Sequence, residues 1–304
     1  VTAAVMIFSS GVHHHISTDE HNPPQFSIRS FGETPDTIKL DGMKRQPYAV
    51  TDPVEAIVSY TKQNVDVNGS AMEILVFEPE DKGPVPGIMV AQHLPIAHQG
   101  LEKDPFTLDI GERLAASGYA CVIPYVFHWW SPEEDLEVKR AEWRDDWTIA
   151  DLETANAVLT SLDRVDSDHI GIIGHCWGGR IAFLGACRFP LYKACATLYG
   201  GRIKIAMGEI STPPIELSNQ IQGSIIGIFG NDDQNPSPAD VDDIDAALTK
   251  AGVDHEFHRY NGAGHGFQDF VDTERYRKEA TEDSWTKVMA FFERKLKAAE
   301  SIRA

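Results

Sequence analysis

A cysteine stands at the centre of the sequence G-H-C-W-G, and the residues around Cys176 indicate a nucleophile. An apolar, β-rich run at 170–173 precedes it and an apolar, helix-like run at 181–187 follows it, so the pattern predicts a strand, a tight turn and a helix. In the pattern G-x-S-x-G, the residue at the tip of such a turn is held above the edge of the sheet, and here sulfur replaces oxygen. A thiol at a helix N-terminus also gains from the helix dipole, which favours the thiolate. Taken alone, the motif leaves open that this residue is a buried core cysteine, as most free cysteines are.

An acid and a histidine follow the cysteine in the order that such a nucleophile requires, each after a predicted strand. The strand predicted at 225–229 leads into G-N-D-D, where the spacing G-x-x-D selects Asp233 and leaves Asp232 as the alternative. The strand predicted at 255–260 leads into a glycine-rich loop that carries His265. Asp and Asn also stabilise turns, which is the structural interpretation of the acidic pair. The order of the three residues predicts a catalytic triad, in which the histidine takes the thiol proton and the acid orients its ring.

Two backbone N–H groups are candidates for an oxyanion hole. One belongs to Trp177, directly after the nucleophile, and the other lies near Leu94, in the loop after the apolar strand predicted at 85–92. His93 stands at the entrance of that loop. It either lines the site or bonds to its own neighbours.

Two adjacent tryptophans, Trp129 and Trp130, follow the buried strand predicted at 119–127. Loops at the carboxyl ends of strands carry the ligand contacts in open α/β sheets, so these side chains are candidates for an aromatic wall of the pocket. The alternative is that they cap the core beneath a lid.

With these residues placed, the chain resembles the dienelactone hydrolase family, which is carboxymethylenebutenolidase-like and belongs to the α/β-hydrolase superfamily. The resemblance rests on G-H-C-W-G-G around Cys176, G-N-D-D around Asp233 and A-G-H-G-F around His265, and it covers roughly residues 55–299. It implies an α/β-hydrolase fold and cleavage of an ester or lactone through a cysteine thioester.

The chain departs from the pattern of that family at two positions. The founding type has a glutamate that interacts with the resting thiol, whereas this chain has His93 there. The founding type also has an arginine that holds the lactone carboxylate, and by motif alignment Asp269 stands in its place. An acidic residue there repels a carboxylate, so the resemblance implies a different, less acidic ester or lactone.

The predicted fold class is α/β, as a mostly parallel central sheet with an antiparallel N-terminal hairpin and helices on both faces. The hairpin strands are predicted at 56–61 and 71–78, joined through an Asn-Gly turn. Residues 133–162 are helical in pattern, as one long helix. Residues 1–54 are predicted to form an irregular N-terminal arm and 55–304 the hydrolase domain. The arm contains three consecutive histidines, without the acids or cysteines that would support a metal site.

The composition excludes several classes of partner. With 27 basic and 46 acidic residues, the formal net charge is -19, which disfavours a nucleic acid or an anionic membrane. No apolar run approaches the roughly 20 residues of a membrane helix.

The four cysteines show no C-x-x-C pair, and reduced thiols fit a cytoplasmic protein. No metal motif such as H-E-x-x-H is present and no cofactor is expected. The expected partner is a small-molecule ester or lactone, bound by a monomer or homodimer.

Two other functions remain compatible with these residues. One is an acyltransferase, or a relative that cleaves carbon–carbon or carbon–halogen bonds. The sequence does not indicate whether water or another acceptor receives the acyl group. The other is a non-catalytic thiol sensor or binding protein that uses a reactive Cys176.

Overall fold

The computed structural model describes residues 37–38, 60–80, 83–209 and 211–297, and a nine-stranded mixed sheet forms the centre of this part of the chain. The strands are β1 (Thr37–Ile38), β2 (Tyr60–Val67), β3 (Ser70–Phe77), β4 (Val85–Ala91), β5 (Ala120–Pro124), β6 (Val165–His175), β7 (Tyr192–Leu198), β8 (Ser224–Gly230) and β9 (His255–Tyr260). The helices are α1 (Ile96–Gln99), α2 (Pro105–Ala116), α3 (Leu136–Ala141), α4 (Asp145–Ser161), α5 (Trp177–Arg188), α6 (Pro238–Ala251) and α7 (Lys278–Phe292). Short helical turns cover Leu101–Lys103, Pro214–Gln220 and Glu293–Lys297.

The sheet has the order β1-β2-β3-β5-β4-β6-β7-β8-β9. Pairing is antiparallel from β1 through β3 to β5 and parallel from β5 through β4 to β9. The parallel strands β4, β6, β7 and β8 are almost continuously buried where they pair, as expected for strands covered on both faces. The predicted fold class is therefore confirmed, and the carboxyl ends of the parallel strands lie along one edge.

Helices cover both faces of the sheet. A Cβ added at Gly171 would lie 3.0 Å from Leu296, just after α7, whereas one added at Gly185 in α5 would lie 3.0 Å from Ile172. Since consecutive strand residues point to opposite faces, α5 and the end of α7 lie on opposite sides of β6. None of the described helices is both long enough and apolar enough to span a bilayer.

The N-terminal hairpin is present, and its second strand begins and ends within one residue of the prediction. β2 and β3 pair from Tyr60↔Phe77 to Val67↔Ser70, and Asn68 at φ 52° and Gly69 at φ 90° form the predicted turn. Residues 56–59 of the predicted first strand lie outside the described residues, as does most of the predicted arm 1–54, including its histidine triplet. The two described residues of that arm form β1, so this part of the arm is not irregular.

The prediction of one long helix over 133–162 was wrong, because the chain leaves helical geometry between α3 and α4. Arg144 is extended, at φ -131°, and the intervening Trp143 turns into the core, where it is 4% exposed. Asp145, the first residue of α4, is buried and forms an ion pair with Arg180 of α5, with Oδ1 2.5 Å from Nη1. These contacts with other elements separate two helices that the charge and hydropathy pattern joins.

Candidate active site

Cys176 lies at a sharp bend, the elbow, between β6 and α5. Its backbone has φ 56° and ψ -117°, a combination that costs a non-glycine residue about 1–3 kcal/mol. The Cys176 N–H donates to the carbonyl of Leu198 at 3.0 Å and its carbonyl accepts from the N–H of Gly179 at 3.0 Å. The bend is therefore anchored to β7 on one side and to α5 on the other, and the side chain is partly exposed.

The glycines on either side of the bend allow close contact between backbones. A Cβ added at Gly174 would lie 1.9 Å from the carbonyl oxygen of Gly178, and one added at Gly178 would lie 2.1 Å from the carbonyl oxygen of Ala91. Neither position accepts a side chain without moving the backbone. The first turn of α5 is thereby held against the end of β4.

A continuous chain of contacts joins Cys176, His265 and Asp233. His265 Nε2 lies 2.9 Å from the Cys176 sulfur, and His265 Nδ1 lies 2.9 Å from Asp233 Oδ2. Asp233 is 2% exposed, and its second oxygen accepts from the N–H of Asn235 at 2.8 Å. Asp232, the alternative acid of the sequence analysis, is exposed, and its N–H donates to the carbonyl of Ala263.

The two loops that carry Asp233 and His265 are packed backbone against backbone. A Cβ at Gly230 would lie 2.2 Å from the carbonyl oxygen of Ala263, so the loop after β8 fits directly against the loop after β9. The hydrogen bond from the Asp232 N–H to the same carbonyl, at 3.0 Å, fixes their register. The short acid–histidine distance thus follows from loop geometry.

The protonation of His265 depends strongly on its two partners. Burial opposes the charged imidazolium, but the hydrogen bonds and negative charges of Asp233 and Cys176 outweigh it and raise the pKa of His265 to about 10. A proton taken from the thiol is therefore held firmly by the ring. The arrangement stabilises the imidazolium form of His265.

The candidate oxyanion donors lie at the ends of two neighbouring elements. Trp177 is the first residue of α5, where a backbone N–H has no acceptor within the helix. Leu94 lies three residues beyond β4, and its carbonyl accepts from the N–H of Ala97 at 3.0 Å. The contact between Ala91 and Gly178 brings the end of β4 to the first turn of α5.

His93 forms a second histidine–carboxylate pair beside the elbow. Its Nε2 lies 2.7 Å from Oδ2 of Asp104, the residue that caps the N-terminus of α2. Burial opposes ionisation of Asp104, but the hydrogen bonds from His93 and Thr107 outweigh it and lower the pKa of Asp104. The structure thus shows a hydrogen bond from His93 to Asp104, and its role in lining the site stays a prediction.

Asp269 lies on the other side of the His93 ring. Its Oδ2 is 3.9 Å from His93 Nδ1, and its side chain is 16% exposed. Burial raises the pKa of Asp269, although the charge of His93 opposes the shift. Burial, together with the negative charges of Cys176 and Asp269, raises the pKa of Tyr199, so both groups act on the same hydroxyl.

The two candidate wall residues belong to a larger tryptophan cluster. Trp129 stacks on Trp147 with ring centroids 5.0 Å apart, and Trp130 stacks on Trp143 at 5.8 Å. Trp143 in turn packs edge-on against Trp177 at 5.1 Å. Trp129 and Trp130 are both partly buried and pack on the core. Trp143 connects Trp130 to Trp177, the residue after Cys176.

A model of the Dienelactone hydrolase family matches residues 72–296, well over half of the chain. The chain belongs to the dienelactone hydrolase family. It is 32% identical over 253 residues to a Synechocystis protein named "Putative carboxymethylenebutenolidase", a match that covers 79% of this chain and 97% of that one. It is 30% identical over 205 residues to a carboxymethylenebutenolidase of Rhodococcus opacus, covering 63% of this chain and 77% of the relative.

Solved structures agree with this assignment at the level of the fold. The chain matches the crystal structure named "Putative Dienelactone Hydrolase" from Klebsiella pneumoniae with a TM-score of 0.67 and 24% identity, over 77% of this chain and 97% of that one. As a dienelactone hydrolase family member, the protein is a hydrolase that acts on ester or lactone bonds.

Across the described ranges of this dienelactone hydrolase family member, no group of three or more His, Cys, Asp or Glu side chains is placed to hold a metal ion. Of the four cysteines, all unpaired, only Cys176 is partly exposed, and burial raises the pKa values of Cys121, Cys187 and Cys195. The thiol with access to solvent is therefore the one at the elbow.

Two residues of this region were not singled out from the sequence. Arg180 is 1% exposed and binds Asp145 and the carbonyls of Arg202 and Ile205, which ties α5 to α4 and to the following loop. Tyr199 follows β7 directly and packs on His265 with ring centroids 5.4 Å apart. The position of Tyr199 at a strand end before two glycines was a usable signal, whereas nothing local distinguishes Arg180 from a surface arginine.

Proposed function

We propose that this hydrolase cleaves esters or lactones through a thioester on Cys176, with His265 and Asp233 as the other members of a catalytic triad. The observation that carries the proposal is the pair of 2.9 Å distances that join the sulfur to the imidazole and the imidazole to a buried carboxylate. This order of nucleophile, base and orienting acid is the arrangement used for acyl transfer.

In the first half of the reaction, His265 Nε2 takes the proton of the thiol and the thiolate attacks the carbonyl carbon. A carbon–sulfur bond forms, and the carbonyl oxygen becomes an oxyanion that the N–H groups of Trp177 and Leu94 stabilise. The tetrahedral intermediate then collapses and the carbon–oxygen bond to the leaving group breaks. The imidazolium gives its proton to that oxygen. From an open-chain ester the neutral alcohol or enol then leaves as the first product, whereas from a lactone it stays attached to the acyl group until the thioester is hydrolysed.

In the second half, water hydrolyses the thioester. His265 takes a proton from the water while the water oxygen attacks the thioester carbon. The N–H groups of Trp177 and Leu94 stabilise the new oxyanion. Collapse breaks the carbon–sulfur bond and releases the acid. Asp233 remains ionised throughout and keeps Nδ1 protonated, which leaves Nε2 free to accept.

We further propose a substrate that is activated and carries little negative charge. A thiolate is a good nucleophile but also a good leaving group, so the attack is productive only when the alcohol or enol leaves readily, as in an enol lactone. Asp269 adds negative charge on the nucleophile's side of the molecule, which disfavours a substrate carboxylate.

Hydrolysis of p-nitrophenyl acetate and of a neutral enol lactone tests the proposal. We expect turnover by the wild type, with one acetyl group trapped on the Cys176 tryptic peptide after an acid quench. Cys176→Ala is expected to lose turnover and trapping, whereas Cys187→Ala, which removes a buried thiol, keeps both.

Three outcomes would contradict the proposal in different ways. No turnover of any ester or lactone by the wild type contradicts hydrolysis. Turnover that survives Cys176→Ala contradicts the nucleophile. Acyl groups that pass to an added alcohol or amine in preference to water indicate an acyltransferase.

A further inference from the structure

Tyr199 has a strained backbone at the edge of the active site. It follows β7, which lies between β6, the strand that leads to Cys176, and β8, the strand that leads to Asp233. Its φ is 39°, in the left-handed region that bulky side chains avoid, and its N–H donates to the carbonyl of Ile228 at 2.7 Å. A backbone outlier of this kind at a functional site justifies a hypothesis about function.

The ring of Tyr199 packs directly against the catalytic histidine candidate. It meets His265 at 5.4 Å and 68°, Phe267 at 5.5 Å and 60°, and His175 at 5.9 Å and 61°. These edge-to-face contacts hold the imidazole from the side of β7. A phenylalanine would supply all of them, so the ring alone does not explain a hydroxyl.

The hydroxyl of Tyr199 is buried and has no hydrogen-bond partner in the described part of the chain. Burial, together with the negative charges of Cys176, Asp269 and Asp233, raises the pKa of Tyr199 well above its usual range, so the group stays protonated. An unpaired buried hydroxyl is unfavourable for stability, as is the backbone strain. Both belong to a residue whose ring packs on His265, the histidine that lies 2.9 Å from the Cys176 sulfur.

We propose that the hydroxyl of Tyr199 stabilises the Cys176 thiolate, and that Tyr199 is in this sense a positioning residue for the nucleophile. A hydroxyl hydrogen rotates freely, and without a competing acceptor its dipole turns toward the nearest negative charge. In a water-poor environment such a fixed dipole has a larger effect than in water. The inference rests on the proposed function, because it takes Cys176 as the nucleophile.

Several titratable groups surround this hydroxyl, and each contributes to the field at the sulfur. The ring of His175 is neutral at ordinary pH, since burial and the charge of His93 lower its pKa to about 3. The groups that carry or exchange charge are Cys176 after β6, Asp233 after β8, and His265 and Asp269 after β9. Tyr199→Phe leaves all of them in place and removes only the hydroxyl.

The experiment is the pH dependence of iodoacetamide alkylation at Cys176, followed by peptide mass spectrometry in the full-length protein. It needs no substrate, and the other three cysteines are buried. The quantity compared is the pH midpoint of alkylation in the wild type and in Tyr199→Phe. In Tyr199→Phe we expect the profile to move up by about 0.5–1 pH unit, less than the shift that a full neighbouring charge causes.

Tyr119→Phe is the matched control, because Tyr119 is fully buried and stands before β5, at the end of the sheet away from the elbow. We expect its alkylation profile to coincide with that of the wild type. Thermal unfolding of Tyr199→Phe is expected at the wild-type temperature or above it, since an unpaired buried hydroxyl has been removed. A raised alkylation pKa in a protein of undiminished stability is not explained by loose packing.

The possible failures are distinguishable. Coincident profiles for wild type and Tyr199→Phe overturn the role of the hydroxyl and leave the proposed function standing. A wild-type profile centred near 8.5 shows an unactivated thiol and overturns both. A shifted profile in a protein that hydrolyses no ester supports the role of Tyr199 and contradicts the hydrolytic function. An equal shift in Tyr119→Phe overturns the inference, because the effect would then not be local.

Discussion

Cys176 and Tyr199 both have left-handed backbone angles, φ 56° and 39°, at the ends of neighbouring strands. Each such residue costs of order 1–3 kcal/mol, and the surrounding structure must hold it in place. Here the N–H groups of both residues are bound by carbonyls of adjacent strands, Leu198 and Ile228. The rest of the fold thus offsets the strain at both residues and holds the Cys176 sulfur and the Tyr199 phenol in fixed positions without a substrate.

The role of Asp233 is testable at the level of one atom. Asp233→Asn keeps the shape of the side chain but favours the wrong tautomer of His265, with the proton on Nε2 facing the sulfur. We expect kcat for p-nitrophenyl acetate to fall on the order of 10³–10⁴-fold. Asp232→Asn changes the exposed neighbour and should keep the wild-type rate. Equal losses in both variants would contradict the assignment.

The raised pKa of His265 also links stability to pH. Because this pKa moves from about 6.5 to about 10 on folding, its stabilising contribution is complete below about 6.5 and is lost as the pH rises through about 10. The melting temperature of the wild type should therefore fall more between pH 7 and 10.5 than that of His265→Gln. Parallel curves for the two proteins would show that the ring contacts do not favour the imidazolium.

At the scale of elements, the active site depends on three loops that follow parallel strands. A Cβ added at Gly174, Gly178 or Gly230 would lie 1.9, 2.1 or 2.2 Å from a neighbouring carbonyl oxygen. These contacts set the crossing of β6 with α5 and join the loops of Asp233 and His265. The geometry of the site is therefore a property of backbone packing as much as of side chains.

Gly174→Ala tests this packing. Its Cβ would lie 1.9 Å from the Gly178 carbonyl, so strand or helix must move, at a cost of about 3 kcal/mol or more. Urea unfolding should show this loss, or the variant will not fold. Gly83→Ala is the control, since no atom lies within 4 Å of its Cβ, and should change stability by less than about 0.5 kcal/mol. Equal stability of the two variants would contradict the close crossing.

The sequence was sufficient for elements whose pattern is local. Continuous apolar runs predicted β4, β5 and β8, an Asn-Gly pair predicted the hairpin turn, and glycine spacing predicted the bend at Cys176. The sequence was not sufficient where the end of an element depends on contact with a residue that is distant in the chain. The break at Trp143 depends on packing against Trp177, and the start of α4 depends on the ion pair of Asp145 with Arg180. Neither partner is visible in the hydropathy of residues 133–162.

The same distinction holds for the site. Residue order and loop chemistry were enough to select Cys176, Asp233 and His265 as candidates, because an α/β sheet brings its strand ends together. They did not predict that His93 would bond to Asp104, since that contact depends on where α2 begins. Contacts between side chains of different layers of the fold cannot be predicted from the spacing of residues in the sequence.

At the scale of the whole molecule, charge is the feature that bears on substrate choice. The net charge of -19 surrounds a site to which Asp269 adds a further carboxylate. We therefore expect anionic substrates to be repelled both at long range and within the proposed site, and we expect salt to screen the long-range part over about 10 Å at 0.1 M.

A matched pair of esters, one neutral and one with a carboxylate, measures this selectivity. We expect kcat/KM to favour the neutral ester at low salt, and the ratio to narrow as salt rises. Asp269→Asn should lower the ratio of kcat/KM for the neutral ester to kcat/KM for the carboxylate ester by a further ~3- to 10-fold, as expected for loss of one charge worth about 1 kcal/mol. Asp168→Asn, an exposed change in the early part of β6, should not. A ratio that is indifferent to Asp269 would contradict its place in specificity.

Five of the six tryptophans form one line of ring contacts that begins at the partly exposed Trp129 and ends at Trp177, the residue after Cys176. Indoles at such separations exchange excitation, so we expect the emission of the whole line to respond to a change at any one of its rings. If Cys176 carries the proposed acyl group, the protein's own tryptophan fluorescence would report its formation and hydrolysis in real time and without a label.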